Sequence, residues 1–206
     1  MPKGSPERTA ARKEEIISAC EKLYQTMSFK DITLKEIGSE TSFSRPTIYN
    51  YFQTKEEIFL ALYEREYDRW NGDLDLILKE QGPMSCGELA GRIADSLARR
   101  EQLLKLLSMN NYDMEANSRQ ELLTSFKTSY GRSMQLMQRI LEKHRPDMSA
   151  EEIRRFQYIF FPFMFGIYPY TTVTRKQRAA MEDAGVPFMY QSIYEITFRC
   201  LNELLK

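Results

Sequence analysis

Three helix starts crowd into residues 33–55, and no other stretch of the chain restricts its fold so tightly. Thr33 followed three residues later by Glu36 has the spacing of a capping box, which predicts a helix from Leu34 with Leu34 and Ile37 facing inward. Ser44 is placed to cap the next helix. Pro46 then falls in the first turn, where no intrahelical donor is needed, and Ile48 and Phe52 share the buried side. Thr54 with Glu57 repeats the capping spacing and opens a third helix. Only one short helix fits between each pair of caps, which is the layout of a helix-turn-helix.

The same stretch carries a distinctive charge pattern. Residues 41–55 hold no carboxylate, but they hold Arg45 and Lys55 and the hydroxyls of Thr41, Ser42, Ser44, Thr47, Tyr49, Tyr51 and Thr54. A surface that approaches phosphates needs cations, hydroxyl donors and helix N-terminal amides, without negative charge to repel the backbone. Arg45 and Thr47, at the start of the second helix, are candidate base-edge readers, the guanidinium toward guanine and the Thr methyl toward thymine. The alternative is that both touch only phosphate.

The string SRPTIYNYFQTKEE, preceded by ITLKEIGSETSF, resembles the helix-turn-helix of the TetR/AcrR family of bacterial transcriptional regulators, over roughly residues 8–62. Two positions depart from that pattern. Ser42 stands where the turn commonly has Gly, with an expected cost of about 1 kcal/mol for a left-handed conformation. Gly38 stands where Ala is usual, which would permit closer helix approach. The resemblance implies an all-α fold, with an N-terminal three-helix helix-turn-helix domain and a C-terminal helical dimerisation and ligand-binding domain. It implies that Tyr49, Tyr51 and Lys55 occupy phosphate-clamping positions, with Ser44, Thr33 and Asn50 completing the DNA-binding set. The expected partners are double-stranded operator DNA, a second copy of the chain and a small-molecule effector.

Size and composition fit this reading and exclude several others. The chain has 206 residues, 42% apolar and 28% charged, as in a globular protein with one core or two small ones. Net charge is zero overall, but it is +2 over residues 1–55 and −2 over the remainder. Cys20, Cys86 and Cys200 are widely spaced and match no disulfide or zinc pattern, so no metal or cofactor is expected and a reducing cytoplasm fits. There is no leader-like N-terminus. The most apolar run, residues 158–168, is too short to span a membrane and contains Pro162 and Gly166.

Periodicity predicts helices through the rest of the chain. Residues 1–8 form a Pro/Gly/Ser-containing arm, expected to be mobile without DNA, and a first helix runs from about Thr9 to Thr26 on Ile16, Ile17, Cys20, Leu23 and Tyr24. The helix capped by Thr54 continues to about Lys79 and links a DNA-reading domain, residues 1–55, to a second domain, residues 56–206. Helical segments follow around Leu89–Leu97 and Leu103–Leu107, before a polar interruption at residues 110–113. A long helix is expected over 118–143, and Ser149 with Glu152 caps another, which Pro162 should bend. Residues 171–187 form a charged connection, and the last helix covers 188–206. The apolar residues of the last two long helices exceed what one small bundle covers, so a homodimer interface is expected there.

The second domain is rich in aromatic and Met side chains. Tyr63, Tyr67, Trp70, Met109, Tyr112, Phe126, Tyr130, Met134, Met137, Phe160, Phe163 and Met164 are candidates to line a pocket for an apolar or aromatic effector, with plain core packing as the alternative for each. His144, at a helix end, is expected to be a solvated cation with no assigned role. An all-helical enzyme is a competing reading, but no phosphate loop, nucleophile elbow or paired-Asp motif supports it. An all-helical adaptor without DNA binding is another. The balance favours a DNA-binding regulator, a repressor released by its effector.

Overall fold

The computed structural model describes residues 5–109 and 111–206, and among these there are helices and no strand. The helices are α1 (Pro6–Thr26), α2 (Leu34–Ser39), α3 (Arg45–Ile48), α4 (Lys55–Lys79), α5 (Cys86–Ala98), α6 (Glu101–Leu107), α7 (Asn111–Ala116), α8 (Gln120–His144), α9 (Ala150–Thr171), α10 (Arg175–Asp183) and α11 (Ile193–Leu204). Helix α1 begins before the expected Thr9 because Ser5 accepts the Arg8 N–H at 3.3 Å and Pro6 takes the first helical position. Apolar periodicity starts only at Ile16 and does not register that cap. The expected arm therefore shrinks, and residues 1–4 of it lie outside the described residues.

Elsewhere the caps decide the boundaries. Ser149 and Glu152 form the expected reciprocal capping box, and α9 continues as one helix across Pro162 and Pro169. Helix α11 starts at Ile193 rather than near 188, because Ser192 and Glu195 make a second such box. Each cap also tunes its acid. The Ser149 backbone and side-chain bonds hold the Glu152 carboxyl below its ordinary range, and the Ser192 bonds do the same to Glu195. The polar interruption at 110–113 contains the start of α7, and the charged connection contains α10, none of whose residues is buried.

The chain divides into two compact units that interleave in sequence: residues 1–66 with 110–130, and residues 67–109 with 131–206. Helices α4 and α8 each give residues to both. The first unit is closed by Ile16, Cys20, Tyr24, Ile32, Ile37, Ile48, Phe52, Ile58 and Phe59, all essentially inaccessible. Tyr24 and Phe29 both meet the Phe59 ring edge-on, at 5.1 and 4.8 Å between centroids. Burial pushes the Cys20 thiol up, as expected of an inert core cysteine. All three cysteines are free.

In the second unit, α5 packs on α11, and α9 packs on α6 and α11. Trp70 is fully buried, and its indole N–H donates to the Ser96 hydroxyl at 3.0 Å. His144 is not the solvated cation that its helix-end position predicts. It is fully buried, with Nδ1 2.8 Å from the Gly82 carbonyl and Nε2 3.2 Å from the Ile77 carbonyl. Gly82 has a φ of +78°, the left-handed turn conformation that brings its carbonyl to the ring. No helix among the described residues is long and apolar enough to cross a membrane, and no group of acidic, His or Cys residues among them could hold a metal.

Candidate nucleic-acid interface

The recognition segment is built from the first unit's core outward. Ile48 and Phe52 are anchored in that core, which leaves Ser44, Arg45, Tyr49 and Asn50 on the exposed side. Helix α3 is only four residues long, but the chain keeps turning beyond it: the Tyr51 and Phe52 N–H groups both donate to the Ile48 carbonyl, at 2.8 and 3.0 Å. Arg45 Nη2 donates to the Tyr49 hydroxyl at 3.2 Å and its guanidinium lies 5.9 Å from that ring's centroid. The two side chains thus stand together on the exposed face. Ser44 makes no side-chain cap, contrary to expectation. Its hydroxyl pairs with Thr47 Oγ1 at 3.3 Å, and its carbonyl accepts the Thr47 N–H at 2.8 Å.

The turn between α2 and α3 differs from the strained one that Ser42 suggested. Among the described residues no non-glycine has a positive φ, so Ser42 carries no left-handed penalty. Its N–H instead donates to the Glu15 carboxylate on α1, and that bond holds the Glu15 carboxyl below its ordinary range. Arg12, one turn earlier on α1, donates to the Tyr51 hydroxyl at 3.4 Å and lies 5.6 Å from the Phe43 ring centroid. Helix α1 therefore holds the turn at Ser42 and Phe43 and the segment beyond α3 at Tyr51. Gly38 lies against α3, where an added Cβ would meet Arg45 Cβ at 3.4 Å and Ile48 Cδ1 at 3.5 Å. That is ordinary contact, so the glycine is not required for the approach.

The remaining sequence-predicted residues have mixed placements. Tyr51 is buried to 6% exposure, with its hydroxyl turned to Arg12, whereas Tyr49 is 48% exposed. Thr33 caps α2 by accepting the Lys35 N–H at 3.1 Å, and its hydroxyl donates to the Glu36 carboxylate. That is a cap, but not the reciprocal box. The Lys55 ammonium donates to the carbonyls of Phe29 at 2.8 Å and Ile32 at 3.1 Å, which leaves its third N–H for another acceptor. Thr54 accepts the Glu57 N–H at 3.1 Å, but the Glu57 carboxylate accepts the Gln53 N–H rather than that of Thr54, so the expected box is not reciprocal. That carboxylate, 1% exposed, is gripped by Arg119, a residue for which the sequence offered no signal.

The candidate effector residues divide between the units. Tyr63, Tyr112, Phe126 and Tyr130 belong to the first, and Tyr67, Trp70, Met109, Met134, Met137, Phe160, Phe163 and Met164 to the second. Tyr63, Tyr67, Trp70, Met137, Phe160 and Met164 are each at most 1% exposed, whereas Tyr112 is 84% exposed and so presents its ring to solvent rather than to a core. The Tyr63 and Phe126 rings lie tilted, 4.8 Å apart between centroids, within the first unit. A cleft of about 270 Å³ in the second unit lies elsewhere, between Arg145, Glu152, Arg155, Phe156 and Leu205. It includes none of these twelve residues.

Comparison with known proteins places this architecture. Residues 16–62 match the model of bacterial regulatory proteins of the tetR family, and residues 64–191 match the tetracyclin repressor-like C-terminal domain. The uncharacterized HTH-type transcriptional regulator YfiR of Bacillus subtilis is 31% identical over 80 residues; the match spans 39% of each chain. Among solved structures, the fatty acid degradation regulator FadR from Bacillus halodurans superposes with a TM-score of 0.60 at 14% identity, covering 100% of this chain and 96% of that one. FadR from Bacillus subtilis, solved in complex with stearoyl-CoA, gives 0.60 at 16% identity over 93% of this chain and 96% of that one. A TetR-family regulator from Mesorhizobium loti gives 0.61 at 16% identity, over 96% and 98%. These three likenesses concern the fold. With the two domain models in their expected order along most of its length, the chain belongs to the TetR family of bacterial regulators.

Proposed function

We propose that this chain is a homodimeric, cytoplasmic transcriptional repressor that reads a pseudo-palindromic operator and is released by an apolar or aromatic effector, and that it has no enzymatic activity. The observation that carries the reading is the exposed face of the recognition segment, with Ser44, Arg45, Tyr49 and Asn50 outward and no carboxylate from residue 41 to 55. In this reading Arg45 and Thr47 reach base edges, while Thr33, Ser44, Tyr49, Asn50, Tyr51 and Lys55 serve the phosphates. One recognition segment supplies too few base contacts for useful specificity, so two must sit about 34 Å apart, or a multiple of that, in successive major grooves.

The exposed apolar side chains of α9 support a second copy at that face: Tyr158 is 71% exposed, Ile159 44% and Phe165 39%. The effector reading rests on the aromatic and Met content of residues 56–206, the part we assign to ligand sensing and dimerisation. Stearoyl-CoA, which B. subtilis FadR holds, has a long apolar tail, so acyl-CoAs are a natural first series to screen. An effector that favours one arrangement of the dimer would change the spacing of the two recognition segments and lower operator affinity. The test is selection of duplexes from a random-sequence pool, followed by titration of the winners with and without each effector that raises the melting temperature. Enrichment of a two-fold symmetric sequence, with weaker binding when effector is present, is the expected result. A monomer indifferent to duplex DNA at low salt would refute the proposal.

A further inference from the structure

Arg119 immediately precedes α8 and lies 62 residues beyond Glu57, yet the two form a multiply bonded charge pair within the first unit. Arg119 Nε donates to Glu57 Oε1 at 2.7 Å, and Nη2 donates to Oε2 at 2.9 Å. This is the two-pronged geometry that a guanidinium offers and an ammonium does not. The Arg119 backbone N–H adds a third bond to Oε1 at 3.1 Å. The same Nη2 also donates to the Tyr51 carbonyl at 3.0 Å, and Glu57 Oε2 accepts the Gln53 N–H at 2.7 Å. Beside them, the Thr54 hydroxyl donates to the Asn117 carbonyl at 2.9 Å. Residues 51–54, which leave the recognition segment and enter α4, are thus tied on one side to residues 117–119.

We propose that Arg119 is a positioning residue of the DNA-reading surface: it holds the end of the recognition segment in place and does not touch DNA. The inference rests on the DNA-binding reading above and adds to it a residue outside the helix-turn-helix sequence. Its charge is already matched, by Glu57 on one side and by Glu121 at 3.3 Å from Nη1 on the other, so it offers little to a phosphate. Without Arg119 the Glu57 carboxylate would remain buried with its main partner gone, and the Tyr51 carbonyl would lose its side-chain donor. The segment that follows Arg45, Thr47 and Tyr49 would then be free to shift.

The experiment compares the full chain with Arg119→Gln and Arg119→Lys, using duplexes that the wild type retains from a random-sequence pool and unselected duplexes of equal length. For Arg119→Gln we expect a loss of about tenfold or more on selected duplexes, little change on unselected ones, and a wild-type slope of log affinity against log salt. Lys should fail to restore affinity, and amide exchange should quicken over residues 51–57 while α11 keeps its protection. Wild-type affinity for selected duplexes, a reduced salt slope, or unchanged exchange at 51–57 would each overturn the proposal. If the single variant does not fold, the Glu57→Gln/Arg119→Gln pair, which leaves no buried charge, is measured against the same criteria. If the wild type retains no duplex, the DNA-binding reading fails, and the exchange comparison alone decides whether Arg119 holds the segment.

Discussion

The Lys55 ammonium lies 4.2 Å from the centroid of the Phe29 ring while donating to the Phe29 carbonyl at 2.8 Å. Lys55 therefore caps the connection between α1 and α2 from the first turn of α4. Lys55→Ala should lower the unfolding free energy by about 1.5–3 kcal/mol, the scale of hydrogen bonds from a charged donor. If its remaining N–H meets a phosphate, the salt slope of DNA binding should also fall by about 0.9 per half-site. Urea unfolding and a salt titration measure the two effects separately. Lost stability with an unchanged slope would make Lys55 a brace only.

Glu57 should give the first unit an acid sensitivity. Burial pushes its carboxyl up, but the Arg119 side chain and the Gln53 and Arg119 amides outweigh burial and hold it below its ordinary range. A depressed carboxyl stabilises the fold above its unfolded value, roughly 4.3, and that contribution is lost as pH falls through the lower folded value. Stability measured by urea from pH 6 down to about 3 should therefore drop more steeply in the wild type than in Glu57→Gln. Parallel profiles would show that Glu57 contributes nothing to the acid limb.

Gly38→Ala should stabilise the protein. The added methyl finds Arg45 Cβ at 3.4 Å and Ile48 Cδ1 at 3.5 Å, and Gly38 has no positive φ to lose. The gain should be about 0.5–1 kcal/mol from helix propensity and reduced freedom of the unfolded chain. Thermal or urea unfolding would detect it. A loss of similar size would mean that the methyl disturbs the packing of α2 on α3 despite its ordinary contact distances.

His144→Ala should cost about 2–4 kcal/mol, because it empties a fully buried site and strips ring partners from the carbonyls of Gly82 and Ile77. The folded fraction should still bind DNA with wild-type affinity, since the site belongs to the second unit. Unfolding curves and a binding titration on one sample check both statements.

Replacing Tyr158 and Phe165 with Glu should convert a dimer to a monomer, with loss of selective DNA binding. Both side chains are exposed on α9, and paired carboxylates at an apolar interface are strongly disfavoured. Light scattering after size exclusion reads the mass directly. An unchanged mass would place the interface elsewhere.

What could be read from the amino acids follows the range of the interactions. Caps act over three residues, so the Ser149–Glu152 spacing marks the start of α9, and the Ser192–Glu195 spacing marks the start of α11 where the apolar run alone points nearer 188. Apolar periodicity located the interiors of α4 and α8 within a residue or two of their ends. The burial of His144 is not legible locally, because its partners, Gly82 and Ile77, are more than sixty residues away and nothing nearby distinguishes a buried imidazole from a solvated one. The unstrained turn at Ser42 is hidden for a similar reason: the Glu15 carboxylate that receives its N–H comes from α1. Arg119 left no trace at all, since its value lies in a fork aimed at a distant carboxylate.

The interleaving of the two units bears on how such a regulator can be cut and recombined. Because residues 110–130 complete the unit that contains the helix-turn-helix, a fragment ending after the fourth helix would expose the surface they cover and orphan the Glu57 carboxylate. The DNA-reading part is therefore not a portable cassette. Chimeras that swap sensor halves between relatives should carry the 110–130 segment with the reader's end of the gene product, and a hybrid joined only at residue 66 should inherit a mismatched lining.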